Sequence, residues 1–250
     1  MNSRPERVKY LMIVAAAGML FAAACHDADR IIRSTPAVVH GDGNVVEEAQ
    51  TIGSFRNIDL QGVGILHIQQ GSREELVIRA EANLLEYLRT DTQGGHLLIW
   101  KDPVTLFNTR PIEYYLTVVD LEQVTLSGAG TIEGAVFDTD SLSLRLTGAG
   151  NIEFVNLTAS ALDIRASGVG DIILSGSAQE QAIELRGVGS YDGRELDSAE
   201  ADVLLNSGGS ATVQVRDRLR ATINGIGSVY YIGDPVVETS GSGSGNVIKL

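Results

Sequence analysis

Carboxylates are the most numerous reactive groups in this chain: 32 Asp and Glu against 19 Lys and Arg. Glycoside cleavage needs two of them across a cleft, one to protonate the leaving oxygen and one to attack or to activate water. The candidates are Asp138 and Asp140, close together in "FDTDS", and Glu133, Glu153 and Asp171, which stand near equivalent turns. The competing expectation is a solvated acidic edge. Oxygen ligands could also hold Ca²⁺, but the nine-residue Gly-Gly-x-Gly-x-Asp calcium repeat is absent and "GVGD" (Gly168 to Asp171) occurs once. The histidines His26, His40, His67 and His96 never recur at a metal-ligand spacing. "GSGSG" (Gly241 to Gly245) spells a nucleophile elbow, yet no helix pattern follows it. The many Gly-x-Gly phrases are likewise followed by strand patterns, which a dinucleotide loop does not allow. No catalytic residue, metal or cofactor is therefore expected. A net charge of −13 argues against nucleic acid as a partner.

The elements that must carry these residues follow from a repeat. "LTGAGNIEF" (Leu146 to Phe154) has relatives in "LSGAGTIEG" and "ASGVGDIIL". Aligned on the first residue of Gly-x-Gly, the column reads Gly128, Gly148, Gly168, Gly187, Ser207, Gly225 and Gly243, at spacings of 18 to 20 residues. The second glycines are Gly130, Gly150, Gly170, Gly189, Gly209, Gly227 and Gly245. Two and four residues before the phrase, the columns are apolar (Leu126, Leu146, Ala166, Leu185; Val124, Leu144, Ile164, Ile183), with mostly polar residues between. That period of two marks strands buried on one face. After the second glycine comes a polar column, Thr131, Asn151, Asp171, Ser190 and onward, then an apolar one. Units of about twenty residues cannot bury a face alone and must stack. The expectation is an all-β, single-stranded parallel β-solenoid of about seven coils. Glycine serves its corners by close backbone approach, and the polar column can bond from coil to coil. The corner glycines are Gly62 and Gly64, Gly128 and Gly130, Gly148 and Gly150, Gly168 and Gly170, Gly187 and Gly189, Gly225 and Gly227. A β-sandwich of hairpins is the alternative, but it gives no reason for one phrase to recur with matched flanks.

Before the regular coils, "ELVIRAE" (Glu75 to Glu81), "GGHLLIWK" and "IEYYLTVV" read as strands, "NLLEYLRT" (Asn83 to Thr90) as a single short helix or helical turn with Asn83 as its candidate cap, and "KDPVTLFNTRP" as a loop. Trp100, Phe107, Tyr114 and Tyr115 gather there, either to close the core or to stack on a ligand. Arg145 and Arg165 share an outward column with Glu184 beyond, which suggests a small ion-pair strip or a ligand contact.

The first 24 residues resemble a lipoprotein signal: Arg4, Arg7 and Lys9, an apolar run from Leu11 to Ala24, then Cys25, the single cysteine. Cys25 is the expected lipidation site, and a lone cysteine leaves no internal disulfide. The domain plan is a signal peptide at 1–24, a lipid-anchored tether at 25–50 with a short strand at its end, and a β domain at 51–250, divided at 123/124.

The stretch "FRNIDLQGVGILHIQQGSREELVIRAEANLLEYLRT", with "HLLIW", "LTVVDLEQVTLSGAGTIE" and the later Gly-x-Gly coils, resembles the head GIN domain family over about Gly53 to Leu250. That resemblance implies a β-helical, adhesin-like protein of the bacterial envelope, often a lipoprotein, on the outer membrane, the periplasmic face or the cell surface. It carries over no catalytic residue. The implied partners are a membrane, through lipid on Cys25, and a protein or glycan ligand. A polysaccharide-active enzyme working through the acidic corners is the alternative.

Overall fold

The computed structural model describes residues 37–250, so Cys25 and His26 lie outside the described residues. From Gln123 onward each turn of chain lies parallel to the next. The strands are β10 (Gln123–Leu126), β11 (Ala129–Leu146), β12 (Ala149–Ala166), β13 (Ile172–Leu185), β14 (Tyr191–Leu205), β15 (Ala211–Ile223), β16 (Val229–Ile232), β17 (Val236–Ser240) and β18 (Val247–Lys249). Register follows the columns: Val124 faces Leu144, Leu144 faces Ile164, and Ile164 faces Ile183. The period-two residues point inward, and Leu126, Leu144, Ile152, Ile164 and Val203 have no exposed surface. Each such side chain contributes about 1.5–3 kcal/mol through burial. The chain is a parallel β-solenoid of about six turns. The seven corner phrases counted in the sequence bound six complete turns between them.

The corner column explains the glycines. Gly130 stands opposite Gly150 in the register. A Cβ on Gly150 would lie inside the van der Waals envelope of the Gly130 carbonyl oxygen, and its φ of +136° belongs to glycine. The polar column bonds partly as expected: Asp171 N donates to Asn151 Oδ1 (3.0 Å), and Ser190 N to Asp171 Oδ1 (2.7 Å). A second corner carries no glycine signal in the first coils, since Val136 (φ +46°) and Asn156 (φ +55°) take the left-handed conformation there. Inside, Gly134 leaves room for the ring of Phe154, which meets Phe137 edge-on at 6.1 Å. A polar chain runs through the core of the coils: Tyr191 OH donates to Gln181 Oε1 (2.7 Å), Gln181 Nε2 to Ser198 Oγ (2.7 Å), and Ser198 Oγ to the Gln214 carbonyl (2.8 Å). Burial raises the Tyr191 phenol far above its usual pKa.

The stretch before Gln123 does not follow chain order. β3 (Asn57–Leu60) and β4 (Val63–Gln70) form a coil that stacks directly on β10 and β11, so Ile58 faces Val124 and Gly64 faces Gly130. The intervening residues turn back over it. β7 (His96–Lys101) and β9 (Glu113–Val118) stack parallel on β3 and β4. β5 (Glu75–Glu81) runs antiparallel on β9, β2 (Val45–Gln50) antiparallel on β5, and β6 (Leu88–Gln93) antiparallel on β7.

Three expectations change here. Val38 to Gln50, assigned to the tether, is folded: β2 joins the main sheet, and β1 (Val38–His40) pairs with β8 (Thr105–Phe107), a strand inside the expected loop. The short helix or helical turn expected over Asn83–Thr90 is a three-residue 3-10 turn, Leu85–Tyr87, but the expected Asn83 cap is not made. Asn83 is instead committed across the chain, its Nδ2 donating to the His40 carbonyl (2.7 Å) and its Oδ1 accepting from Asp42 N (3.1 Å). Leu88 then enters β6, because its side chain is needed in the core.

Buried Glu81 holds this region together. Its carboxylate accepts from Gly43 N (2.7 Å), Thr109 N (2.8 Å), Thr109 Oγ (2.7 Å) and Arg110 N (3.4 Å). The Thr109 hydroxyl, with these amides, holds its pKa below the ordinary glutamate value against the opposing effect of burial.

Candidate functional site

The strand that follows the glycine corner presents one outward row: Tyr115 on β9, His67 on β4, Glu133 on β11 and Glu153 on β12, each facing the next in register. These side chains, with Gln69 and Val155, line an open groove of about 460 Å³. The His67 and Tyr115 rings stack at 4.9 Å and 19°. His67 Nδ1 lies 3.0 Å from Glu133 Oε2, and Nε2 lies 3.8 Å from Glu113 Oε1. Nε2 is buried without a hydrogen-bond partner among the described residues. Glu113 is held from behind by Arg79 Nη1, which donates to its Oε2 at 2.6 Å and whose own pKa rises through that bond. Tyr115 remains 40% exposed, so part of its ring is open to a ligand. The arrangement offers an aromatic plate, an imidazole pinned between carboxylates, and carboxylate acceptors at the rim.

Residues 54–235 match the family model described as "Putative auto-transporter adhesin, head GIN domain". The chain belongs to this family. The same fold occurs in a solved "putative adhesin" of Bacteroides fragilis (23% identity, 85% of this chain and 100% of that one, TM-score 0.79). It also occurs in a "Putative lipid binding protein" of Parabacteroides distasonis (20% identity, 85% and 99%, TM-score 0.67). A "putative adhesin" of Parabacteroides merdae is a third case (22% identity, 86% and 99%, TM-score 0.63). No functionally curated protein matches the chain. At these identities the solved structures establish the fold alone.

On this head GIN scaffold the acidic residues singled out in the sequence do not converge as one set. Glu133 and Glu153 share the groove. Asp171 belongs to the corner column and accepts from Ser190 N. Asp138 and Asp140 are exposed on a different turn, where the Asp138 backbone bonds Gln70 in both directions (3.0 and 2.9 Å). No group of three metal-ligating side chains is assembled among the described residues. The aromatics also divide: Tyr114 is buried in the core, Phe107 stacks on His40 (5.1 Å, 12°), and Tyr115 faces the groove. Arg165 pairs with Asp163 (3.1 Å) of its own strand rather than with Glu184, which binds Arg186 (2.5 Å). A second, larger concavity of about 570 Å³ follows the strand before the corner and is lined by Asp163, Glu180, Glu200 and Asp202, with Arg218 and Arg220 at one end.

His67 was missed as a groove residue, although a signal exists. Extending the repeat columns back to Gly64 puts His67 three residues past the glycine, in the column of Glu133 and Glu153. Tyr115 gave no such signal, because β9 reaches the row through a stacking that the repeat period does not encode.

Proposed function

We propose that this chain is a non-catalytic, adhesin-like binding module of the bacterial cell envelope, held to a membrane by lipid on Cys25. Its groove at His67 and Tyr115 takes a neutral, hydroxyl-rich glycan. The observation that carries this reading is the half-exposed Tyr115 ring stacked on His67 in a groove edged by Glu133 and Glu153. Aromatic faces pack on the apolar faces of sugars, and carboxylates accept from their hydroxyls. A row fixed by cross-strand register pre-organises such contacts and lowers the ordering cost of binding. Binding of neutral envelope polysaccharide, followed by calorimetry, is expected to be lost in Tyr115→Ala while the melting temperature stays within a few degrees. Unchanged binding by that variant would reject the groove. Metabolic labelling with palmitate checks the anchor: label is expected on the wild type and absent from Cys25→Ser. A chain that never takes the label would remove the anchor and leave the groove to be judged by itself.

A second reading rests on Glu133 and Glu153, two carboxylates in one groove, and assigns polysaccharide cleavage to them. Release of reducing ends that disappears in Glu153→Gln would replace the binding module with an enzyme.

A further inference from the structure

The strand before the glycine corner carries a different outward row, Asp59, Thr125, Arg145, Arg165 and Glu184, in register across five coils. Two arginines therefore stand directly opposite each other on adjacent strands, about 4.8 Å apart in the backbone. Like charges so placed cost stability. Farther along the same face, arginines are answered from the neighbouring coil: Arg218 by Glu200 (2.8 Å), and Arg220 by Asp202 (3.3 Å) and Glu238 (3.4 Å). Nothing comparable stands between Arg145 and Arg165. Arg165 and Arg186 use carboxylates two residues back in the chain, Asp163 and Glu184. Arg145 directs Nε to Ser143 Oγ (3.3 Å) and has no carboxylate within 4.0 Å among the described residues. Thr147 and Ser167 place exposed hydroxyls beside the three guanidinium groups, and together with Glu184, the partner of Arg186, they line a shallow depression of about 260 Å³. Arg165 and Arg186 are thus paired with Asp163 and Glu184, and Arg145 is left, among the described residues, as an unanswered cation beside them on a chain of net charge −13.

We infer that Arg145, Arg165 and Arg186, with Thr147 and Ser167, bind the carboxylates of an acidic glycan. Guanidinium groups recognise oxyanions through paired N–H donors, and the adjacent hydroxyls supply further donors. Stacking at the coil spacing lets one carboxylate sit between two arginines. The overall negative charge selects against a dense polyanion such as nucleic acid, which carries a charge every ~1.7 Å. A polymer with one uronate per disaccharide meets less repulsion beyond the strip, because charges more than about 8 Å away are screened at physiological salt. This strip is separate from the groove at His67 and does not depend on it.

The test is calorimetric titration of the full chain with a hyaluronan octasaccharide at low salt. Binding is expected, and it should weaken about tenfold or more in the Arg145→Gln/Arg165→Gln double variant. It should also weaken as salt rises. The double variant should melt at or above the wild-type temperature, since it relieves a like-charge pair; a purely structural role for the arginines would lower that temperature. Arg216→Gln, on a different row, should bind as the wild type does. The inference is overturned if the octasaccharide does not bind, if binding survives the double variant, or if it falls with Tyr115→Ala and not with the arginines. Arginine-dependent binding to phosphatidylglycerol vesicles without binding to the octasaccharide would assign the strip to lipid phosphate and reject the glycan.

Discussion

In the coils after Gln123, neighbouring strands are parallel and each residue meets its counterpart one repeat away; between Val38 and Glu122, β2, β5 and β6 run antiparallel and partners lie at unrelated separations. The coils are limited by how closely two backbones approach, so their critical positions have no side chain. The earlier stretch is limited by polar groups that must be satisfied inside it, so its critical position is a carboxylate, Glu81, with four donors. Repetition supplies cohesion in one region, and convergent hydrogen bonds supply it in the other. An error should spread along the stack in the first case and stay local in the second.

The largest expected effect comes from Gly150→Val. It forces a β-branched residue to φ +136° and drives Cβ against the Gly130 carbonyl. We expect a loss of about 3–5 kcal/mol, at the high end for one substitution. Thermal unfolding and hydrogen exchange should show protection falling in β11, β12 and β13 together. A variant that melted like the wild type and lost glycan binding instead would make this corner a binding loop and end the comparison.

Glu81→Gln is expected to come next, with a different spatial signature. The Glu81 pKa is lower folded than unfolded, so the charged form favours the fold. Its contribution is complete above the unfolded value of about 4.3 and is lost as pH falls through the lower folded value. Wild-type β2 and β5 should lose exchange protection in that acid window while β12 to β14 keep theirs. The variant should show the same loss of β2 and β5 at neutral pH. Simultaneous loss through all the coils would show that the two regions form one cooperative unit.

The contrast also explains what the sequence could reveal. Column arithmetic located the glycine corners and the inward residues, because parallel stacking turns a spatial neighbour into a fixed offset in sequence. It was silent where the offset changes. Gly62 and Gly64 carry the phrase and stack on Gly128 and Gly130, but the chain makes β5 to β9 before returning. The turn at Leu85–Tyr87 and strand β8 owe their form to partners such as His40 and Val38 that no local pattern names. Ser207 shows the limit inside the columns. It replaces a corner glycine, and the coil-to-coil bond that Ala149 N and Val169 N make to the preceding glycine carbonyl (both 2.9 Å) is absent after Ser207. Ser207 Oγ instead accepts from Gly209 N (3.3 Å).

The smallest effects compare two buried tyrosines, one from each region. Tyr191 sits among the coils, and its hydroxyl starts the hydrogen-bond chain to Gln181, Ser198 and the Gln214 carbonyl. Removing that oxygen strands Gln181 Oε1 in the core, so Tyr191→Phe should cost about 1–3 kcal/mol. For a domain of this size that lowers the melting temperature by roughly 2–4 °C per kcal/mol. Tyr114, on β9, is equally enclosed, yet its hydroxyl has no partner among the described residues. Burial alone raises its pKa. Its desolvation is already a cost without return, so Tyr114→Phe should leave stability unchanged or raise it by up to about 1 kcal/mol. The two variants remove the same atom from the same kind of ring at the same burial, which leaves the hydrogen-bond partner as the difference between them. Equal losses in both would mean that Tyr114 has a partner, such as a buried water, and that the region before Gln123 satisfies its polar groups as completely as the coils do.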